Sequence, residues 1–320
     1  MPHGRLILVE GLPGSGKSTT AQQIWLGLEA QGRAARWWFE HEEGHPIFDD
    51  DAVRRARAAS AGEDEGVFAR AQAGWRALAG RLAAADEVVI LESAVFQTTV
   101  GTQLLRDASP EAIREHFRQT VALIAPLAPE LVRLRPADPA AALRRTCARR
   151  HPWFEAFLQE QFAASARGRR LGRSDPAAIV EYFIDREAIT DALAAEWPGP
   201  VITHDNTDGD WTRQRRLIGE FLQVSLASPI PDAARLGDYP GRYVAAGGDV
   251  WDIAADQGGL FLADGAGSRL IPHGPDAFVI EGLCVELRFE RSREGLVSAI
   301  RSCGALPGLA LHWTRASARG

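Results

Sequence analysis

The chain has 320 residues and a formal net charge of -6, and all but one of its 36 lysines and arginines are arginine. That length holds two ordinary domains, while the acidic balance and the lack of a long basic block argue against a nucleic-acid partner. Residues 1–5 run straight into an apolar segment with no signal peptide, no apolar run approaches the ~18 residues of a membrane span, and the three cysteines lack C-x-x-C spacing. The expectation is a soluble cytoplasmic protein with reduced thiols and no membrane partner.

The first element in chain order is a near-continuous apolar run at residues 5–9, which predicts a strand buried on both faces of a parallel sheet. Gly11, Pro13, Gly14, Ser15, Gly16, Lys17 and Ser18 follow as a full G-x-x-x-x-G-K-[ST] pattern. Lys17 is the lone lysine, standing where a compact ammonium enters a nest of backbone N–H groups too narrow for a planar guanidinium. Residues 18–31 predict a helix, with Ile24 and Leu28 on one stripe and Gly32 as its stop. In this order of strand, glycine loop and helix, N–H groups of Gly14 to Ser18 would hold phosphates. Lys17 would bridge the β- and γ-phosphates and Ser18 would bind Mg²⁺, with ATP·Mg²⁺ lying along Gly11 to Thr19.

A second strand is expected at 35–39, followed by a polar loop holding Glu40, His41, Glu42, Glu43, Gly44, His45 and Pro46. The literal H-E-x-x-H in this loop is not read as a zinc site, because that chemistry needs both histidines on one helix face, and Gly44 and Pro46 oppose a helix. Glu40, His41 and His45 are instead candidates for lining an acceptor site, with a solvated polar loop as the alternative. A helix at 67–85 leads to a third strand at 87–91, which Glu92 and Ser93 close. At that edge the Glu92 carboxylate could orient Mg²⁺ or accept a proton from a substrate hydroxyl, and Gln97 could point into the same cleft.

Ser109 and Pro110 predict the start of another helix, and a fourth strand is expected at 130–134. Arg144, Arg145, Arg149 and Arg150 form the densest basic cluster, followed by Trp153. Arg145 and Arg149 would be neighbours at i, i+4, so an anion between them relieves their repulsion. They are the candidates for neutralising a transferring phosphoryl group from a mobile lid, with chance clustering in an arginine-rich chain as the alternative. Asp175 and Pro176 open a helix over 177–195, a fifth strand is expected at 200–203, and Asn206 beyond it could border a nucleotide base.

Composition changes after residue 224. Residues 225–239 read as a linker, and 240–320 carry short apolar runs with period-two character between Gly- and Asp-containing turns. The expected organisation is an α/β domain at 1–224, with a parallel sheet of about five strands and helices on both faces, then a small antiparallel β-barrel or sandwich of seven or eight strands.

The phosphate loop preceded by Glu10, the strand-end Glu92 and Ser93, and the arginines around Arg145 and Arg149 make the first 224 residues resemble P-loop kinases of the nucleoside and nucleotide type, thymidylate-kinase-like in layout. The resemblance implies ATP- and Mg²⁺-dependent phosphorylation of a small molecule. Ser93 stands where such kinases carry an arginine that binds a nucleotide acceptor. The segment from about residue 240 weakly resembles the lipocalin-like domains appended to some bacterial hydrolases. The expected partners are a nucleotide and a small-molecule acceptor, with a homodimer left open. A different class of function is a P-loop NTPase that switches the β-domain by hydrolysis, with no acceptor.

Overall fold

A computed structural model describes residues 5–40, 42–48, 62, 66–150, 153–226, 233–256, 258–263, 267–304 and 312–316, with backbone alone at 97, 98, 233 and 234. The chain divides into two units, Met1–Leu226 and Ala227–Gly320.

In the first unit β1 (Arg5–Gly11), β2 (Ala35–Trp38), β3 (Val88–Glu92), β4 (Glu130–Leu134) and β5 (Val201–His204) form one parallel five-stranded sheet in the order β2-β3-β1-β4-β5. The side chains of β1 alternate between two cores, as the pleat requires. Ile7 and Val9 pack with Ile24 and Leu28 of α1 (Lys17–Ala30) and with residues from near the end of this unit. Leu6 and Leu8 face α2 (Val67–Ala84), whose Trp75, Leu78 and Leu82 are buried. Each such aliphatic side chain contributes about 1.5–3 kcal/mol on burial, so both faces of β1 anchor the layer that carries the loop after it.

Beyond β3 the chain forms a π-helical segment, Ala94–Val100, then the short α3 (Gly101–Leu105) and α4 (Pro110–Ile124). Ser109 caps α4 through Ala112 N–H at 3.2 Å with Pro110 in the first turn, as its sequence predicts. After β4 come α5 (Pro139–Arg149), α6 (Trp153–Ala164), α7 (Ala166–Leu171) and α8 (Pro176–Ala194), and after β5 comes α9 (Trp211–Leu222). The helix α8 packs on the α2 face through Tyr182 and Phe183, whereas α9 shares the α1 face through Ile218 and Leu222. The connection leaving β1 leads past β3 to β2, and the connection leaving β3 leads past β1 to β4. This reversal puts a crevice at the carboxyl end of β1, where open α/β sheets take their ligands.

The second unit is a closed barrel. Its strands are β6 (Gly241–Ala245), β7 (Val250–Asp256), β8 (Gly259–Leu262), β9 (Arg269–Gly274), β10 (Ala277–Ile280), β11 (Glu286–Arg291), β12 (Val297–Cys303) and β13 (His312–Arg315). Each strand pairs antiparallel with the next, and β13 closes on β6. Tyr239, Tyr243, Phe278 and Phe289 cluster within the barrel's core, and Trp251 stacks on Trp313 at 3.9 Å between ring centroids. An eight-stranded barrel is narrow enough for side chains to fill. Of the two architectures expected for this segment, barrel or sandwich, the chain adopts the barrel.

The linker expected at 225–239 is shorter at both ends. Leu226 is buried in the core beneath α1 and α9, and Tyr239 in that of the barrel. Residues 227–232 lie outside the described residues. Among the described residues no helix is long and apolar enough to cross a membrane.

Candidate active site

The loop from Gly11 to Gly16 is pinned by its neighbours. Gly14 and Gly16 adopt φ of 77° and 91°, the left-handed region that favours glycine. A Cβ on Gly14 would meet Thr146 Oγ1 of α5 at 2.1 Å, and one on Gly16 would meet the Trp211 ring of α9 at 2.4 Å. Thr146 also donates to Pro13 O at 3.2 Å. Gly16 precedes α1 with no side-chain cap, so the N–H groups of the first turn lack a capping partner from that residue. The buried Ser15 Oγ has no hydrogen-bond partner among the described residues.

Lys17 is buried and donates to Leu12 O at 2.9 Å, which curls the ammonium back over its own loop. Burial pulls its pKa down, and the charges of Glu40, Glu92 and Glu10 pull it back up. The register of the sheet explains this gathering. Val9 pairs with Glu92 and Leu91 with Trp38, so the ends of β1, β3 and β2 deliver Glu10, Glu92 and the loop holding Glu40 to one edge.

Glu92 is almost fully buried, and burial raises its pKa to about 8 against the opposing pull of Lys17. Glu40 adds a like charge that raises it further, while its own N–H donates to Glu92 Oε1 at 3.4 Å. Glu92 Oε2 is buried with no hydrogen-bond partner among the described residues. Ser93, the next residue, has φ of 60°, an uncommon conformation for a non-glycine residue, and bends the chain from β3 into the π-helical segment. Val95 N–H at the start of that segment donates to Glu10 Oε1 at 2.6 Å.

Arg145 and Arg149 lie on α5, and neither is among the charges that act most strongly on Lys17 or Glu92. Arg150 sits one turn beyond Thr146, its guanidinium 4.3 Å over the Phe154 ring, and interacts electrostatically with Glu40. Although the residue is exposed overall, burial around its guanidinium lowers its pKa and Glu40 raises it. Arg186 of α8 reaches Gly11 O at 3.5 Å and acts on Lys17. On α7, Arg167 pairs with Asp185 and Arg170 with Asp107.

His45 lies in the loop after β2. Its buried ring accepts from Ile47 N–H at 3.2 Å and Phe48 N–H at 3.3 Å through Nδ1 and stacks on Phe48. It organises the loop, because a polar ring that satisfies two backbone donors is at home in a core. Glu42 is likewise spent on an ion pair with Arg36 and a bond from Phe39 N–H at 3.2 Å. His41 and the Gln97 side chain lie outside the described residues. Trp153 is exposed at the start of α6 and packs edge-on against Phe154 and Phe157. Asn206 follows β5 at the same sheet edge, with a buried Oδ1 that has no partner among the described residues.

Sequence reading missed Arg186, Thr146 and Trp211, since only the packing of α5, α8 and α9 brings them to the loop. No protein-family model matches the chain, and no curated protein matches it.

Proposed function

We propose that the first unit is an ATP-dependent phosphotransferase, with Gly11 to Thr19 as its phosphate-binding loop and a small nucleophilic molecule as acceptor. The observation that carries this reading is the buried Lys17 ammonium, folded over a loop with two left-handed glycines at an uncapped helix start. That arrangement suits a polyphosphate, which takes hydrogen bonds from N–H groups at the start of α1 and charge from the ammonium.

The oxygen donors here also fit Mg²⁺. Glu92 has a buried oxygen with no hydrogen-bond partner among the described residues, and the nearby Ser18 hydroxyl favours its ionised form. Ser18 and Glu92 would hold the ion, which when bound neutralises charge on the phosphate oxygens. A carboxylate of the Glu40 and Glu92 pair takes the acceptor's proton as the new O–P bond forms and the bond to ADP breaks, leaving ADP and the phosphorylated acceptor. Asn206 is suited to the base end of the nucleotide. Arg150 borders the acceptor end through Glu40.

ATP binding and turnover by Lys17→Ala test the loop assignment. Both should be lost with the fold intact by circular dichroism, and unchanged turnover refutes the assignment.

A further inference from the structure

Arg186 is 3% exposed and makes no ion pair among the described residues. Besides the charge of Lys17, the groups it meets among the described residues are neutral: Gly11 O at 3.5 Å, the Tyr182 hydroxyl, and the Phe183 ring with the guanidinium carbon 4.8 Å from its centroid. A guanidinium has five N–H donors in a planar fork, more than these contacts occupy. Burying a cation without a counter-ion is costly, and the chain avoids that cost one residue away, where Glu187 pairs with buried Arg133 at 3.1 Å. That pair ties α8 to β4 and holds Arg186 against the end of β1.

We infer that Arg186 is an anion ligand whose counter-ion is the phosphoryl end of the nucleotide, supplied from a fixed helix and acting together with Lys17. The inference rests on the phosphotransferase reading and adds a residue to it. Two cations facing one loop attract a multiply charged oxyanion more strongly than either alone, and the planar fork of arginine matches two phosphoryl oxygens at once. The long contact to Gly11 O is the resting partner, given up when the anion arrives. Tyr182, which also donates to Gly101 O at 3.2 Å, keeps the fork oriented.

Inorganic tripolyphosphate without Mg²⁺ tests this on the full chain, by thermal shift and titration calorimetry with wild type, Lys17→Ala, Arg186→Met and Arg186→Lys. Arg186→Met removes a buried unpaired charge while keeping side-chain length. Its melting temperature without ligand should equal or exceed that of wild type, and its affinity for tripolyphosphate should fall about 10- to 100-fold. Arg186→Lys should bind with intermediate affinity. Wild-type affinity in Arg186→Met with loss in Lys17→Ala overturns the role of Arg186 and leaves the loop standing. A lower melting temperature in Arg186→Met with unchanged affinity makes the residue structural and overturns the inference. If Arg186→Met does not fold, wild-type affinity in Arg186→Lys overturns it. Absence of any response in wild type overturns the inference and the phosphotransferase reading together.

Discussion

Lys17 and Glu92 are buried titratable groups that act on each other electrostatically, and their protonation is coupled to folding. The folded-state pKa of Glu92, about 8, lies above its ordinary 4.5, so the folded chain holds that proton more tightly than the unfolded chain. The associated stability is complete below pH 4.5 and is lost as pH rises through about 8. It falls by up to about 1.4 kcal/mol per pH unit in that window. Glu92→Gln should remove this fall, which melting temperatures of the ligand-free protein across the window will read. An unchanged slope would contradict the assignment of the raised pKa. Lys17 was legible in the sequence because its motif specifies a local backbone. Arg186 was not, since a charged residue within a helix looks like a surface residue until α8 is seen packed on the sheet. The burial of the His45 ring between Trp38 and Phe48 was not legible for a related reason, since a polar loop gives no local sign of the packing around it.

At the scale of elements, α5 and α9 set the shape of the glycine loop. Gly16→Ala places a Cβ against Trp211 in a left-handed conformation, and about 1–3 kcal/mol of stability should be lost in denaturant melts. Combining it with Trp211→Ala should recover the steric part of the loss measured against Trp211→Ala alone, and strict additivity would show that the ring is not the obstacle. The pair joining β4 to α8 is subject to a second test. Glu187→Ala leaves Arg133 with Asp191 as its remaining partner and should cost about 1–3 kcal/mol, whereas Arg133→Met with Glu187→Leu should be close to neutral. The five strands and the capped helices could be read from apolar runs and Ser-Pro or Asp-Pro signals, because those are local preferences. The π-helical segment after Ser93 could not, since it depends on a strained turn and on buried Glu10 receiving Val95 N–H.

For the whole molecule, the buried clusters of the sheet unit and of the barrel share no residue. Trp313→Ala, which removes a buried ring stacked on Trp251, should cost the barrel about 3–5 kcal/mol. Calorimetry should resolve this as a shift in a transition that tripolyphosphate leaves in place. The period-two pattern revealed a β-rich unit, but closure of β13 on β6 is a long-range pairing that no local window contains. The central proposal, transfer of a phosphoryl group to an acceptor, is tested most directly by following the terminal phosphate of labelled ATP with Mg²⁺ and pooled small molecules, including nucleosides and aminoglycoside-like compounds. Label should enter an organic product, saturably with acceptor, in wild type and not in Lys17→Ala. Label appearing only as inorganic phosphate, at a rate indifferent to acceptor, would contradict phosphotransfer and leave a nucleotide hydrolase.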